Sequence, residues 1–243
     1  MSEHDKLEKQ TDEEPGSADV PVGIRSEWYS RGYLPHRDEK NVLQSVTFRL
    51  ADSLPQTKLV ALKRELDLAS LTLLSDPERE AHLRRTIEVY LDSGMGCCAL
   101  GHARVAAFVQ YSLLHFHGER YWLHAWCIMP NHVHVLVEPM EELGKIVQGW
   151  KSYTARFMLA QNVSLELGLP RENRVWMREY WDRYVRDRNH YANVLAYIHN
   201  NPVKAGLCSL AADWPWSSAG YDFDRGDGGG DGGGDGGDRD GKA

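Results

Sequence analysis

The sequence predicts an α+β fold, an antiparallel sheet with helices laid on its faces. Three observations carry that reading. Segments that alternate apolar and polar residues are interleaved with segments of helical periodicity. Two strand-like segments, "ERYWLHAWCIMP" and "HVHVLVEP", are joined at Met129-Pro130-Asn131, which leaves room only for a hairpin. No internal repeat is present that would point to a solenoid or propeller.

Taken in order, "LQSVTFRLADSLP" sets Val46, Phe48 and Leu50 on one side and Ser45, Thr47 and Arg49 on the other, a strand of period two. Ser53-Leu54-Pro55 then opens a helical stretch to about Leu73. "DPEREAHLRRTIEVYLDSG" reads as a helix with Asp76 as N-cap, Pro77 in the first turn and Gly94 past the end. Residues 102–116 form a third helical stretch, and the hairpin follows. "ELGKIVQGWKSYTARFMLAQ" is a helix with Ile146, Val147, Trp150, Phe157 and Met158 as apolar stations. "EYWDRYVRD" is short, aromatic and extended. "DRNHYANVLAYIHNNPVKAGL" starts at an Asp187 cap and is expected to stop at Pro202, because proline disfavours helix in the residue before it.

Length and composition divide the 243 residues into a single central domain, 21–220, and two acidic tails. The net charge of −7 is concentrated at the ends: −5 over residues 1–20 and −4 over residues 221–243, which leaves +2 for the domain. A mildly basic domain between acidic tails remains able to bind a polyanion. The last residues are Gly/Asp repeats with almost no apolar side chain, too polar to offset chain entropy, and both tails read as disordered. No run reaches the roughly 18 apolar residues of a membrane span. The N-terminus lacks a secretory layout, so a cytoplasmic protein is expected, with no membrane partner. Four cysteines, two of them adjacent and none in a CxxC pair, argue against a zinc ribbon or a disulfide framework.

The candidate chemistry centres on "WCIMPNHVHVLVEP". His132 and His134 are i and i+2 on a strand and share a face with Leu136, while Val133, Val135 and Val137 fill the other. Two imidazoles side by side on a rigid strand can ligate a metal ion or an anion. The ordinary alternative is the polar face of an amphipathic strand, against which stands the apolar run around the pair. On the last helix Tyr197 and Asn201 are i and i+4, one above the other. Their ordinary roles would be a core aromatic and a C-cap before proline. Tyr153, Tyr184 and Tyr191 are rival phenols, but the residues four places on are Phe157, Arg188 and Leu195 rather than an amide.

"MPNHVHVLVEP" followed some sixty residues later by "YIHNNPVKAGL" resembles the REP-associated tyrosine transposases, a branch of the single-tyrosine HUH transposases. The "WDRYVRD" stretch and the early "RGYLPH…VTFRLADSLP" are similar to that family too, so the resemblance spans residues 28–218 and leaves out the tails. It implies a ferredoxin-like sheet with the histidine strand central and the tyrosine helix laid against it. It implies that His132, His134 and Asn201 bind a divalent metal and that Tyr197 is the nucleophile. Two imidazoles, an amide oxygen and open positions suit Mg²⁺ or Mn²⁺. The implied activity is cleavage and rejoining of single-stranded DNA through a 5′-phosphotyrosine, with a hairpin-forming REP-type repeat as substrate and a monomer or homodimer as the working unit. No GxxxxGK[ST] phosphate loop is present, which fits strand transfer without ATP.

Between the histidines and Tyr197, aromatics and cations interleave: Trp150, Lys151, Arg156, Arg174, Trp176, Arg178, Trp181, Arg183, Arg186 and Arg188. Lys151 and these arginines are the candidate DNA-binding cations, at least half of the set being expected to be core or merely solvated. Two other classes compete. A domesticated repeat-DNA-binding protein without catalysis would not need a nucleophile. A hydrolase unrelated to DNA would want an acid beside the pair, where only Glu138 is near.

Overall fold

The structure is a computed structural model and describes residues 28–30, 35–37, 40–54, 57–58, 60–61, 64, 76–170, 174–222 and 227–228. The readings for residues 1–20, for nearly all of the Gly/Asp tail and for most of the helix after Ser53 lie outside the described residues.

A small antiparallel pair, β1 (Trp28–Ser30) with β2 (Pro35–Arg37), precedes the main sheet. Then come β3 (Gln44–Arg49), α1 (Asp76–Asp92), α2 (Ala103–Leu114), β4 (Tyr121–Ile128), β5 (His132–Pro139), α3 (Leu143–Gln161), β6 (Trp181–Tyr184) and α4 (Arg188–Lys204). The sheet runs β4-β5-β3-β6 with every neighbouring pair antiparallel. Strand, helices, hairpin, helix, strand in that spatial order is the ferredoxin-like split βαβ arrangement. The histidine strand β5 is internal, bonded to β4 on one side and β3 on the other.

Period two divides the sheet into two faces. Val133, Val135 and Val137 are fully buried in one core with Val46, Phe48 and residues of α2 and α3. Burying each valine is worth roughly 1.5–3 kcal/mol, so a one-residue slip of β5, which would bury the histidines there instead, is strongly disfavoured. The aromatic centre of this core has its polar handles satisfied. Trp150 donates to Tyr121 Oη at 2.9 Å, and Tyr121 donates to the Leu113 carbonyl at 2.9 Å. The opposite face holds Leu136, Ala125 and Cys127 against Ile198, with Val194, Leu195 and Tyr197 of α4 packed on them. A register shift between Leu123 and Ala125 reverses the alternation in β4, so Leu123 and Trp126, three apart, both enter the first core.

Helix α4 begins as expected, with the Asp187 carboxylate accepting from the His190 amide at 2.8 Å. It does not stop at Pro202. The helix runs through to Lys204, and Ala205 N and Leu207 N still bond to the Asn201 and Pro202 carbonyls. Proline in the last turn forfeits a single amide, and the turns on either side hold the helix across it. Asn201 is therefore a buried residue inside the helix, not a C-cap.

Helix α1 lies across the α4 side of the sheet, its Ile87 and Leu91 buried with Leu54 and with Trp181 packed on them. Two ties hold its C-terminal end. Asn131 Nδ2 donates to the Leu91 and Met95 carbonyls at 3.1 and 2.9 Å, and Lys204 pairs with Asp92 at 3.3 Å. All four cysteines are free, and among the described residues no helix is long and apolar enough to cross a membrane.

Candidate active site

Antiparallel register puts directly opposed residues on the same face. Thr47 opposes His134, Arg49 opposes His132, and Trp181 opposes Thr47 from the next strand. This face meets α4, where Tyr197, Asn201 and Lys204 recur at helical spacing.

His132 and His134 are both buried, with their Nε2 atoms 3.0 Å apart. Each ring is held at its other nitrogen. His132 Nδ1 lies 2.8 Å from Asn131 Oδ1. The amide orientation of Asn131 is set by its two donations to α1 carbonyls, so Oδ1 accepts and His132 Nδ1 carries the proton. That leaves the Nε2 lone pair free toward His134. His134 Nδ1 lies 2.8 Å from Thr47 Oγ1, which can accept in the same way. Burial first, then the His134 ring and Arg49, holds His132 well below the usual imidazole range. Burial, with Lys204 adding, pushes His134 down to about 3. Both are neutral at physiological pH, the form that ligates.

The Tyr197 ring stands edge-on to His134, centroids 5.4 Å apart at 80°. Its buried hydroxyl makes no hydrogen bond of good geometry, and neither does either polar atom of the buried Asn201 side chain, although the Asn201 amide and the Glu88 carboxylate lie beside the phenol. The phenol is raised far above its ordinary value, first by burial and then by the Glu88 carboxylate of α1. Asp92 adds to the rise, and the neighbouring Asn201 amide opposes it.

A metal ion fits these residues. Two nitrogens on adjacent positions of an octahedral ion, with bonds of about 2.1 Å, would be about 3.0 Å apart. The two Nε2 atoms have that separation. Buried polar atoms are normally satisfied, and the orphaned Asn201 Oδ1 and Tyr197 Oη are what a site prepared for an ion and a phosphate would leave open. Among the described residues no cluster of three His, Cys, Asp or Glu could hold a metal.

Of the rival tyrosines, Tyr153 lies on α3, half-exposed and stacked on Phe108, a helix whose buried residues pack on the valine face of β5. Tyr184 opposes Gln44, three residues along β3 from Thr47, and so belongs to that same valine side. Tyr191 is a turn and a half before Tyr197, near His124.

The expected DNA-binding cations separate. Lys151 is buried, and its amine donates to the Met177 and Arg178 carbonyls at 3.0 and 3.1 Å. It holds the segment before β6 in place. Arg156 sits over Tyr153 on the far side of the sheet from Tyr197. Arg174, Arg178, Arg183, Arg186 and Arg188 are exposed, and of these Arg183 borders the cavity that Tyr197 also lines. Sequence reasoning missed Thr47, Asn131 and Glu88. Asn131 had a signal, its place directly before His132; the other two are brought in by long-range packing.

Residues 115–201, which contain both histidines, Tyr197 and Asn201, match the family model described as "Transposase IS200 like". A putative REP-associated tyrosine transposase of Haemophilus influenzae is 31% identical over 107 residues, 39% of this chain and 56% of the relative. The REP-associated tyrosine transposase of Escherichia coli K12 is 27% identical over 104 residues, 43% of this chain and 58% of the relative. The chain thus spans little more than half the length of the curated relatives it matches. A solved structure of a REP-associated tyrosine transposase bound to a REP hairpin aligns over 80% of this chain and 87% of that one, with TM-score 0.46 and 16% identity. The transposase resemblance carried by the two motifs is matched by the family model and by both curated relatives.

Proposed function

We propose that this chain cleaves and rejoins single-stranded DNA with Tyr197 as nucleophile, acting on hairpin-forming REP-type repeats. The observation that carries the reading is the pair of orphaned polar groups, Tyr197 Oη and the Asn201 amide, on the helix face that meets the buried histidine pair. The match of residues 115–201 to the IS200-like transposase model and the names of the curated relatives support this reading.

His132 Nε2, His134 Nε2 and Asn201 Oδ1 would hold Mg²⁺ or Mn²⁺, which when bound supplies Lewis-acid polarisation of a scissile phosphate. The chain's own residues do the rest. Asn131 and Thr47 fix the two rings so that the Nε2 lone pairs converge. Helix α4 holds the phenol beside them, which replaces an encounter in solution by a fixed approach. Burial and Glu88 keep the phenol protonated, so its proton leaves as the Oη–phosphorus bond forms. The bond from phosphorus to the 3′ oxygen breaks, that oxygen takes up a proton, and the strand remains as a 5′-phosphotyrosine. Attack by another 3′-hydroxyl reverses these changes and frees Tyr197, with one phosphodiester exchanged for another.

The test is incubation of the full chain with end-labelled, hairpin-bearing single-stranded DNA and Mn²⁺. An SDS-stable, protease-sensitive product whose nucleotide maps to Tyr197 is expected, and chelation by EDTA should abolish it. A native-gel shift with no such product would favour the non-catalytic repeat binder instead.

A further inference from the structure

Beside Tyr197 lies a cavity of about 390 Å³. Its floor is the edge of the sheet, Ser45 and Thr47 of β3 with Trp181 and Arg183 of β6. One wall is α1 (Ile87, Glu88, Leu91) and the other is α4 (Asn193, Val194, Tyr197). Thr47 is also the hydrogen-bond partner of His134, so the floor is continuous with the histidine pair. The proposed chemistry uses Tyr197 but gives this space no role.

We propose that this cavity is a subsite for one unpaired nucleotide of the strand, seated base-inward next to the phosphorus that Tyr197 attacks. The inference deepens the strand-transfer reading and rests on it for the identity of the polymer. Three features select the ligand. The size suits a single nucleoside, within the usual range of small-molecule sites. The walls combine an indole and aliphatic side chains with hydroxyls and an amide, the mixture that holds a flat heterocycle by its faces and reads its edge. The formal charges balance, Arg85 and Arg183 against Glu88 and Asp182. A site for a bare anion would carry an excess of positive charge, whereas a neutral base with donors and acceptors on its rim matches a balanced lining. With the base inside, the attached phosphate is left at the Tyr197 end, where the chemistry needs it.

The test uses the full chain and the four 2′-deoxynucleoside 5′-monophosphates, followed by saturation-transfer NMR and titration, with deoxyribose 5-phosphate as the probe that lacks a base. Saturable binding of at least one nucleotide is expected, with no saturation by the sugar phosphate. Asn193→Trp from the α4 wall and Ser45→Tyr from the floor should each weaken that binding at least ten-fold. Nuclear Overhauser contacts from the base protons to the Ile87 and Val194 methyls of the unaltered chain give the same answer if either variant fails to fold. No saturation by any nucleotide, equal binding of the sugar phosphate, or base contacts elsewhere on the chain would overturn the subsite. Covalent capture of DNA at Tyr197 is scored in parallel. Capture without nucleotide binding sinks the subsite and leaves the strand-transfer reading; nucleotide binding without capture does the reverse.

Discussion

The Tyr197 ring meets the His134 ring edge to face, 5.4 Å between centroids, while its hydroxyl finds no hydrogen-bond partner. The ring is thus part of the packing between α4 and the sheet, and the oxygen, beside the Asn201 amide and the Glu88 carboxylate, adds no hydrogen bond of good geometry. Tyr197→Phe keeps the aromatic contact and removes a buried polar atom left unsatisfied, a change expected to be neutral or to stabilise by up to about 1 kcal/mol. The same substitution should eliminate the covalent DNA product and spare DNA binding. Thermal melting beside the labelled-strand assay checks both. A large loss of melting temperature would mean that the hydroxyl has a partner in solution, and a surviving adduct would move the nucleophile elsewhere.

Asn131 joins two functions that the chain keeps far apart in sequence. Its amide nitrogen closes the end of α1 through the Leu91 and Met95 carbonyls, and its oxygen orients His132. Asn131→Ala leaves those buried groups unpaired, and a loss of about 2–4 kcal/mol in urea unfolding is expected. Mn²⁺ affinity, followed by electron paramagnetic resonance of the free ion, should fall about 10- to 100-fold, as it does when outer-shell partners of ligating histidines are removed. Unchanged affinity in a folded variant would show that Asn131 does not orient the ring.

Acid should unfold the metal-free chain through the histidine pair. In the folded state His134 is pushed down to about 3 and His132 is also well below its ordinary range. In the unfolded chain both titrate near 6.5. Between those values the unfolded state binds more protons, so the stability from burying neutral rings is fully present above about pH 6.5 and is lost as pH falls toward 3. Within that window each ring contributes a slope of at most about 1.4 kcal/mol per pH unit. Urea titrations from pH 7 to pH 4 measure the slope, and His134→Gln should flatten it by about one proton. An equal slope in the variant would assign the acid sensitivity to other groups.

The parts of this site legible in the sequence are those carried by local periodicity. His132 and His134 share a face because strands repeat every two residues, and Tyr197 and Asn201 share one because helices nearly repeat every four. The hairpin was legible from its three-residue connection. What could not be read is whatever depends on register between distant segments. Thr47 reaches His134 across a separation of 87 residues, through the β3–β5 pairing. Glu88 faces Tyr197 only because α1 crosses the α4 side of the sheet, which its own polar-rich sequence does not specify. Pro202 misled for a related reason: local propensity ends a helix there, and the packing of Ile198 and Asn201 carries it through. Lys151 read as a candidate DNA-binding cation because the carbonyls its amine meets lie on a stretch of chain twenty-six residues away.

Lys151 and Arg183 make a matched pair for separating structure from DNA contact. The Lys151 amine is buried on the Met177 and Arg178 carbonyls, and Lys151→Met leaves those acceptors unpaired. A stability loss of about 1–3 kcal/mol is expected. The salt dependence of single-stranded DNA binding should not change, because no phosphate contact is removed. Arg183 is exposed on β6 at the border of the cavity beside Tyr197. Arg183→Ala should cost little stability, weaken binding of all strands alike and reduce the slope of log affinity against log salt by about 0.7, the value for one phosphate on a single strand. Fluorescence anisotropy with a labelled oligonucleotide at several salt concentrations, run beside urea unfolding, reads both quantities. A reduced slope in the lysine variant, or an unchanged one in the arginine variant, would reverse these assignments and route the strand along a different face of the sheet.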